Sequence, residues 1–493
     1  MRPNKFFLAF FILNIFSLQF AFSHYKAKYH VIIDTDGGID DFRAICMILA
    51  NPEIEVIGIV TTDGVLAPEE TCYRLISLLQ SFGHEGIPVA AGKKNLENPP
   101  EFRAFAGSLL WGQQRISSID NGLTAVELII QETELEEMPV EYIALGPLTN
   151  LAEALANNAG LLHEFGKIYW YDKSFEEHGL NYSLNPIAAE KIINSSLELE
   201  IINAGPENPG FDKSFISALD TIFSDYAHAI QDFYRINRPV LQDHFMGISL
   251  ADDCIPLYLA FPDQFNRKTL EDDEGKALVM PIPERDLQSY MLAILDCDKE
   301  DKSILFKTFP VSPGLFENDL SPSVGQMIQS HGLKEWKIMV LTNEFHEHLG
   351  IYSIVGAKMG LRAREYFRVG IDELTIKSLA GSTPPVSCLN DGLQVSTGAT
   401  LGHGTISVGD SDPSPAAIFT FKNRAIMIEL KENIKAQIMN DVQSAVRAHG
   451  INTPGYWQAI RQLAIRYWLE LDRGEIFEIR VPTLPHPQPQ PQP

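Results

Sequence analysis

The chain has 493 residues, of which 64 are acidic and 39 basic, so its formal charge at pH 7 is −25. A surface with this charge disfavours binding to nucleic acids or anionic membranes and favours solubility and cation binding. The length exceeds that of one ordinary hydrophobic core and predicts two or three domains. The five cysteines are scattered without a C-x-x-C pair, so their spacing predicts no particular disulfide.

The first 23 residues have the pattern of a signal peptide. A short basic start at residues 1–5 precedes a strongly apolar segment at residues 6–22, and Ala21-Phe22-Ser23 supplies a small-x-small cleavage pattern. A retained membrane anchor is the alternative, because the apolar segment is near the lower length limit for spanning a bilayer. We predict a secreted or periplasmic protein that has no membrane contact after the signal is cleaved.

Four aspartates lie close together in the run DTDGGIDD at residues 34–41, directly after an apolar stretch at residues 30–33. Carboxylates this close repel one another unless a cation lies among them. The two glycines permit a tight turn with positive φ, which would point several carboxylates at one centre. We therefore predict a hard divalent cation at this turn. The alternative is a solvated acidic turn that caps a helix over residues 42–50.

Apolar strand-like runs alternate with helical patterns as far as about residue 260. The strand candidates are residues 32–33, 56–60, 89–90, 142–145, 168–170 and 199–202, and helical periodicity covers residues 69–82 and 123–132. This alternation predicts an α/β fold with a mostly parallel sheet and helices on both faces. Ligands of such sheets bind beyond the carboxyl ends of the strands, where both residues 34–41 and the loop at Leu145 fall.

The acidic run and its surroundings resemble the nucleoside hydrolase family of the inosine-uridine preferring type, over residues 28–270. In that family an Asp-x-Asp-x-Gly-x-Asp-Asp run follows the first strand and holds calcium. The other similar segments are residues 51–60, 87–92, 144–152 and 250–253. The resemblance implies a calcium-dependent hydrolase that cleaves the N-glycosidic bond of a nucleoside or related N-riboside. Its partner is then a small nucleoside-like molecule; the oligomeric state stays open, with a homo-oligomer as one option.

The resemblance also implies roles for individual residues. The implied metal ligands are Asp36, Asp41, Asp252 and the backbone carbonyl of Leu145. All are oxygen donors, which suits calcium better than zinc. Asp36 is also the expected general base that activates water, while Asp40 and Asn181 are expected to bind the substrate. For Asp252 the alternative is a helix N-cap ahead of residues 254–260.

The substrate side of the predicted site departs from the family pattern. Gly179-Leu180-Asn181 stands where the family has Glu-Phe-Asn, and Ala251 where a histidine is often found. Glu176, Glu177 and His178 are candidates to refill these roles. The alternative function is a non-catalytic protein that binds metal and ligand through a degenerate hydrolase site. The retained aspartates favour the enzyme, because water activation depends on them.

A change in composition separates this part of the chain from a second one. Residues 268–276 and 296–302 are charge-rich, and residues 310–322 are rich in Pro, Ser and Gly. We predict a signal peptide at residues 1–23, a hydrolase-like domain at 24–310, a linker at 311–324, a smaller α+β domain at 325–480 and a Pro/Gln-rich tail at 481–493.

Residues 337–430 resemble the FmdE family of formylmethanofuran dehydrogenase. The similar positions are Phe345, His346, His348, Cys388, Asp391 and the loop TGATLGHG at residues 397–404. Two histidines at i and i+2 with a distant cysteine suggest a zinc-type site of His346, His348 and Cys388, with His403 as a further candidate ligand. The alternative is that these histidines form hydrogen bonds within the fold and bind no metal.

Overall fold

The computed structural model describes residues 27–111, 122–206, 213–241, 250–297, 304–409 and 412–482. The predicted signal peptide and nearly all of the predicted tail, from residue 483 onward, lie outside the described residues. Within the described parts of the chain, no helix has the length and apolar character needed to cross a membrane.

The first sheet has eight strands and is mostly parallel. The strands are β1 (Tyr29–Thr35), β2 (Ile54–Thr61), β3 (Val89–Ala91), β4 (Val140–Ala144), β5 (Phe165–Tyr171), β6 (Glu198–Ile202), β7 (Phe265–Thr269) and β8 (Lys276–Pro281). Their spatial order is β3-β2-β1-β4-β5-β6-β8-β7, and β7 pairs antiparallel with β8. The predicted α/β class with a mostly parallel sheet is confirmed, and each predicted strand overlaps one of β1 to β6.

Helices cover both faces of this sheet. They are α1 (Ile39–Ala50), α2 (Pro68–Ser81), α3 (Arg103–Ser108), α4 (Ala125–Leu135), α5 (Thr149–Asn157), α6 (Leu180–Leu184), α7 (Pro186–Ile193), α8 (Lys213–Leu219), α9 (Asp225–Leu241), α10 (Cys254–Ala260) and α11 (Leu287–Leu295). Side chains of β1 alternate between two cores: Val31 and Ile33 pack with α1, whereas Ile32 packs with α4 and α5. A strand buried on both faces must be apolar throughout, which explains the unbroken run before the aspartates.

The charge-rich residues 268–276 belong to the β7–β8 hairpin rather than to a new region. Four of the five β7 residues are exposed, and Phe265 alone is buried. An edge strand with one solvated face carries charged side chains, so it lacks the apolar periodicity that marks the inner strands.

A smaller mixed sheet follows. It has five strands in the order β10-β9-β11-β12-β13, namely β9 (Thr375–Ser378), β10 (Ile406–Val408), β11 (Ala416–Phe421), β12 (Arg424–Leu430) and β13 (Phe477–Arg480). Five helices accompany it: α12 (Val324–Phe345), α13 (Ile351–Phe367), α14 (Leu389–Thr397), α15 (Glu432–His449) and α16 (Pro454–Glu470). The core of this domain also takes in Phe309 and Leu320, which precede α12.

The second domain contacts the far end of α1. Arg368 donates hydrogen bonds to the main-chain carbonyls of Ile48, Leu49 and Asn51 at the carboxyl end of that helix, at 2.5–3.3 Å, and to the carbonyl of Ile54 at 2.6 Å. The last carbonyls of a helix have no partner within the helix, so Arg368 caps α1 from another domain. The second domain is thereby tied to the helix whose first turn carries the acidic run.

Candidate active site

The acidic run forms a buried turn between β1 and α1. Asp34, Asp36 and Asp41 are 0%, 1% and 2% exposed, which rules out the solvated turn that was the alternative. Gly37 has φ +85°, as expected from the sequence. Gly38 does not: it precedes α1 with φ −61°. The tight turn therefore needs only one glycine with positive φ.

Asp36 lies against the loops that follow β2 and β4. A side chain at Gly64 would collide with Oδ2 of Asp36, and one at Gly146 would place its Cβ 2.9 Å from Cβ of Asp36. The main-chain N–H of Leu66 donates to the carbonyl of Asp36 at 2.8 Å. Glycines at these two positions let the backbone approach Asp36 closely and hold it at the carboxyl edge of the sheet.

The carboxylates converge on one point. Asp40, Asp41 and Asp252 offer oxygens that all lie within 4.8 Å of one another. Oδ2 of Asp36 and Oδ1 of Asp252 are buried without a hydrogen-bond partner among the described residues. Oδ2 of Asp41 is held by the hydroxyl of Thr35 at 2.5 Å and by the N–H of Asp36 at 3.0 Å. Buried oxygens without partners are costly, and a hard cation is the ligand that satisfies them.

All six residues predicted for this site line one pocket of about 250 Å³. They are Asp36, Asp40, Asp41, Leu145, Asn181 and Asp252, and their neighbours in the lining are Val65, Tyr171, Asp172, Lys173, Gly179, Leu180 and Asn203. The structure thus brings the predicted residues together, while their individual roles stay predictions.

Asn181 joins the metal side of the pocket to its substrate side. Its Nδ2 donates to the carbonyl of Leu145 at 2.9 Å and to the carbonyl of Tyr171 at 3.0 Å. A carbonyl oxygen has two lone pairs, so the oxygen of Leu145 can accept from Asn181 and still ligate an ion. The main-chain N–H of Leu145 donates to the carbonyl of Asp34 at 2.8 Å, which fixes this loop against β1.

Asp172 was missed by the sequence analysis. It is 4% exposed, and its carboxylate accepts from the main-chain N–H groups of Lys173 at 2.6 Å, of Tyr182 at 2.7 Å and of Gly179. Asp172 therefore shapes the loop that carries Asn181. A lone aspartate after a buried strand was the available signal.

The residues proposed to refill the altered substrate roles do not line the pocket. Glu176, Glu177 and His178 are absent from its described lining. His178 instead stacks on Tyr182, with ring centroids 3.5 Å apart. In this arrangement the missing glutamate and histidine have no replacement from that loop.

A buried ion pair joins the two halves of the carboxylate cluster. Arg43 of α1 donates from Nε and Nη2 to the carboxylate of Asp253 at 3.0 and 2.6 Å, and from Nη1 to the hydroxyl of Tyr234 at 2.9 Å. Asp253 adjoins Asp252 and is the residue before α10, where its side chain makes no capping hydrogen bond. Asp252 is therefore not the helix N-cap that was its alternative role.

Burial changes the protonation of the cluster. It raises the pKa of Asp34 to about 7 and, with the nearby charge of Asp40, raises the pKa of Asp41 to about 7. Burial also raises the pKa of Asp36 and of Asp252. Without a cation, some of these carboxyls therefore hold protons near neutral pH.

A pH-dependent stability follows for the metal-free protein. The folded state holds the protons of Asp34 and Asp41 up to about pH 7, whereas the unfolded chain releases them near pH 4. Stability should fall as pH rises between these values. We expect a lower melting temperature at pH 8 than at pH 5.5 in chelator, and a larger increase on adding CaCl₂ at pH 8, because bound protons compete with the ion. An equal calcium effect at both pH values would contradict this.

The predicted zinc-type site of the second domain is not assembled. Among the described residues, only two other groups of three or more side chains offer ligand atoms within 4.8 Å of one another, so His346, His348 and Cys388 do not form such a group. Nδ1 of His346 contacts Oδ2 of Asp391 at 2.6 Å, and Nδ1 of His348 contacts the carbonyl of His346 at 3.1 Å. Local hydrogen bonding, the stated alternative, occupies one nitrogen of each histidine.

His403 does not complete that site either. Its Nδ1 lies 3.2 Å from the carbonyl of Gly398 and 3.3 Å from a carboxylate oxygen of Asp372. The glycine-rich loop that carries His403 is largely exposed, so the sequence motif marks a solvated turn here.

The fold and the pocket together define an α/β enzyme with a carboxylate cluster at the carboxyl edge of its sheet. Residues 31–304, more than half of the chain, match the family described as inosine-uridine preferring nucleoside hydrolase, and the chain belongs to this family. Residues 345–478 match the family described as FmdE, molybdenum formylmethanofuran dehydrogenase operon. Both resemblances are confirmed: an N-glycosyl hydrolase domain is fused to an FmdE-like domain.

Individual relatives are distant. The chain is 24% identical over 254 residues to the pyrimidine-specific ribonucleoside hydrolase RihA of Shewanella baltica, an alignment that covers 48% of this chain and 79% of that protein. It is 27% identical over 257 residues to uridine nucleosidase 1 of Arabidopsis thaliana, covering 48% and 76%. A solved purine-preferring ribonucleoside hydrolase from Gardnerella vaginalis aligns with 20% identity and a TM-score of 0.46 over 54% of this chain and 98% of that one.

Proposed function

We propose that the first domain is a calcium-dependent enzyme that cleaves the N-glycosidic bond of a nucleoside or a related N-riboside. The observation that carries the proposal is the convergence of Asp36, Asp40, Asp41 and Asp252 in one pocket, with buried oxygens of Asp36 and Asp252 that have no protein partner among the described residues. In a member of this family, such oxygens fit a hard cation better than they fit an empty acidic cluster.

The donor set suits calcium. Asp36, Asp41, Asp252 and the carbonyl of Leu145 would hold the ion, and every one of these donors is an oxygen. When bound, calcium supplies a site that lowers the pKa of a coordinated water and accepts sugar hydroxyls as ligands.

Asp36 is the proposed general base. Its Oδ2 is free of other hydrogen bonds in the described structure, and burial raises its pKa towards the range in which a carboxylate accepts a proton from water effectively. Asp40 lines the pocket beside it and is placed to accept a hydrogen bond from a ribose hydroxyl. The negative charge of these groups also favours the oxocarbenium-like state through which the glycosidic bond breaks.

The leaving group receives less help. Ala251 cannot donate a proton at the position where the resemblance leads us to expect a histidine. Substrates whose leaving group departs without protonation should therefore react faster than ordinary nucleosides. This favours an N-riboside with an electron-poor base, and it makes an aryl riboside a sensitive probe.

The test is the release of free sugar from p-nitrophenyl riboside, inosine and uridine by calcium-loaded protein. We expect turnover with calcium, loss of turnover with a chelator and recovery when calcium is restored, because the donor atoms are carboxylates that repel one another without the ion. Asp41→Ala is the matched control, since it should abolish both calcium binding and turnover. Calcium binding without hydrolysis of any of the three compounds would favour the non-catalytic alternative instead.

A further inference from the structure

A second cluster of charged groups lies at the contact between the two domains. His30 of β1 and Glu55 of β2 meet Glu136, which follows α4, and Lys422, which lies in the turn between β11 and β12. His30 is four residues before Asp34 on the same strand, about 13 Å away. The cluster is therefore at the opposite end of the sheet from the proposed calcium site.

Three of these side chains have the spacing of metal ligands. Nδ1 of His30 lies 3.5 Å from Oε2 of Glu55 and 3.3 Å from Oε2 of Glu136. Suitable atoms of all three residues lie within 4.8 Å of one another. A tetrahedral zinc ion, about 2.0–2.1 Å from nitrogen and oxygen ligands, separates those ligands by about 3.3 Å. The two distances at His30 match this separation.

His30 also has no hydrogen-bond partner that meets ordinary geometry. The residue is only 6% exposed, and neither Nδ1 nor Nε2 makes a hydrogen bond within the described structure. A buried imidazole without a partner is costly, and a ring nitrogen directed at two carboxylates is a typical metal-ligand arrangement. This observation is independent of the two acidic residues.

With a neutral imidazole, the cluster lacks one positive charge. Nζ of Lys422 lies 2.6 Å from Oε1 of Glu55 and 2.6 Å from Oε2 of Glu136, so one ammonium faces two carboxylates. Burial alone would raise the pKa of Glu136, but its contacts with His30 and Lys422 outweigh burial and lower that pKa to about 2. Glu136 therefore stays ionised, and a divalent ion would balance the charge of the two glutamates fully.

A proton on His30 is the competitor of that ion. Burial opposes protonation of the ring, but the contacts with Glu136 and Glu55 outweigh burial and raise the pKa of His30. A metal ligand must give up its proton, so the ion binds more tightly as pH rises. Zinc binding is therefore best measured at pH 8.

We propose that His30, Glu55 and Glu136 bind one divalent ion of the zinc class, and that Lys422 leaves the cluster when the ion binds. The departure of Lys422 is feasible because its side chain is 34% exposed at a hairpin turn. All three ligands belong to the first domain, whereas Lys422 belongs to the second. The ion and the second domain thus compete for the same carboxylates, which links zinc binding to the contact between the domains.

The test is calorimetric titration of the full-length, chelator-treated protein with ZnCl₂ at pH 8 in excess CaCl₂, which keeps the first site occupied. His30→Gln should weaken the zinc affinity of this site at least about 100-fold, because it removes a direct ligand. Lys422→Met should strengthen it at least about tenfold, because it removes the competing cation. His84→Gln is the matched control: His84 is buried at the same domain contact but bonds to the carbonyl of Glu365 and the hydroxyl of Tyr226.

Two outcomes would overturn the proposal. One is zinc binding that is identical in the wild type, His30→Gln and Lys422→Met, which would place any bound zinc elsewhere. The other is no zinc binding by folded wild type and folded Lys422→Met. If His30→Gln does not fold, as judged by circular dichroism, Glu55→Gln takes its place with the same expectation. The result does not depend on whether the first domain hydrolyses nucleosides.

Discussion

Asp36→Asn is expected to lower hydrolysis at least about 100-fold, the usual contribution of a general base. An amide oxygen can still ligate calcium, but asparagine cannot take a proton from water. The side chain is 1% exposed between the loops at Gly64 and Gly146, so an isosteric amide fits where a larger residue would not. The loss should appear in kcat rather than in KM, because the group acts during the chemical step.

The measurement combines turnover with calcium affinity. Asp36→Asn should retain most of its calcium affinity, whereas Asp41→Ala should lose calcium and turnover together. Asp40→Asn is the informative neighbour, since a residue that binds a ribose hydroxyl should change KM at least as much as kcat. Turnover by Asp36→Asn at the wild-type rate would show that another group activates water.

Arg43→Leu is expected to destabilise the protein by about 3–5 kcal/mol, the usual cost of removing one partner of a buried ion pair. Asp253 is 0% exposed, and its carboxylate would be left without the guanidinium that pairs with both of its oxygens. The free energy of unfolding, measured with urea in the presence of chelator, reports this loss. Arg235→Leu is the matched control, because Arg235 pairs with Asp232 on the surface and its removal should change stability by less than about 1 kcal/mol.

A double variant separates stability from positioning. In Arg43→Leu/Asp253→Leu no buried charge is left unpaired, so much of the lost stability should return. Calcium affinity should stay low, because the ion pair is what holds Asp252 beside Asp40 and Asp41. If the double variant binds calcium as tightly as the wild type, the pair has a structural role only. An unchanged stability of Arg43→Leu would contradict the first expectation.

Local sequence determined much of the first domain. Residues 30–33 are apolar throughout because β1 is buried on both faces, and the aspartates follow at the point where the strand ends. Strand and helix periodicity is a property of neighbouring residues, so it could be identified without knowledge of distant contacts. The same reasoning placed residues 34–41 and Leu145 at one edge of the sheet, because parallel strands end together.

The β7–β8 hairpin and Gly38 show where local pattern was insufficient. The exposed edge strand carries charges and has no apolar periodicity, and Gly38 adopts an ordinary φ because the turn needs positive φ only at Gly37. In both cases the neighbouring structure decides, since solvent exposure of an edge and the start of a helix depend on packing.

Tertiary structure alone decided the pairings between distant residues. Arg43 meets Asp253 across 210 positions of sequence, and Glu55 meets Lys422 of another domain, because the sheet and the domain contact bring them together. Conversely, His346 and Cys388 fit a family motif, but Asp391 engages the histidine and no three-ligand centre with His348 forms among the described residues. Charge pairing over such separations leaves no periodic signal in a single sequence, because its energy depends on burial and distance in the folded chain.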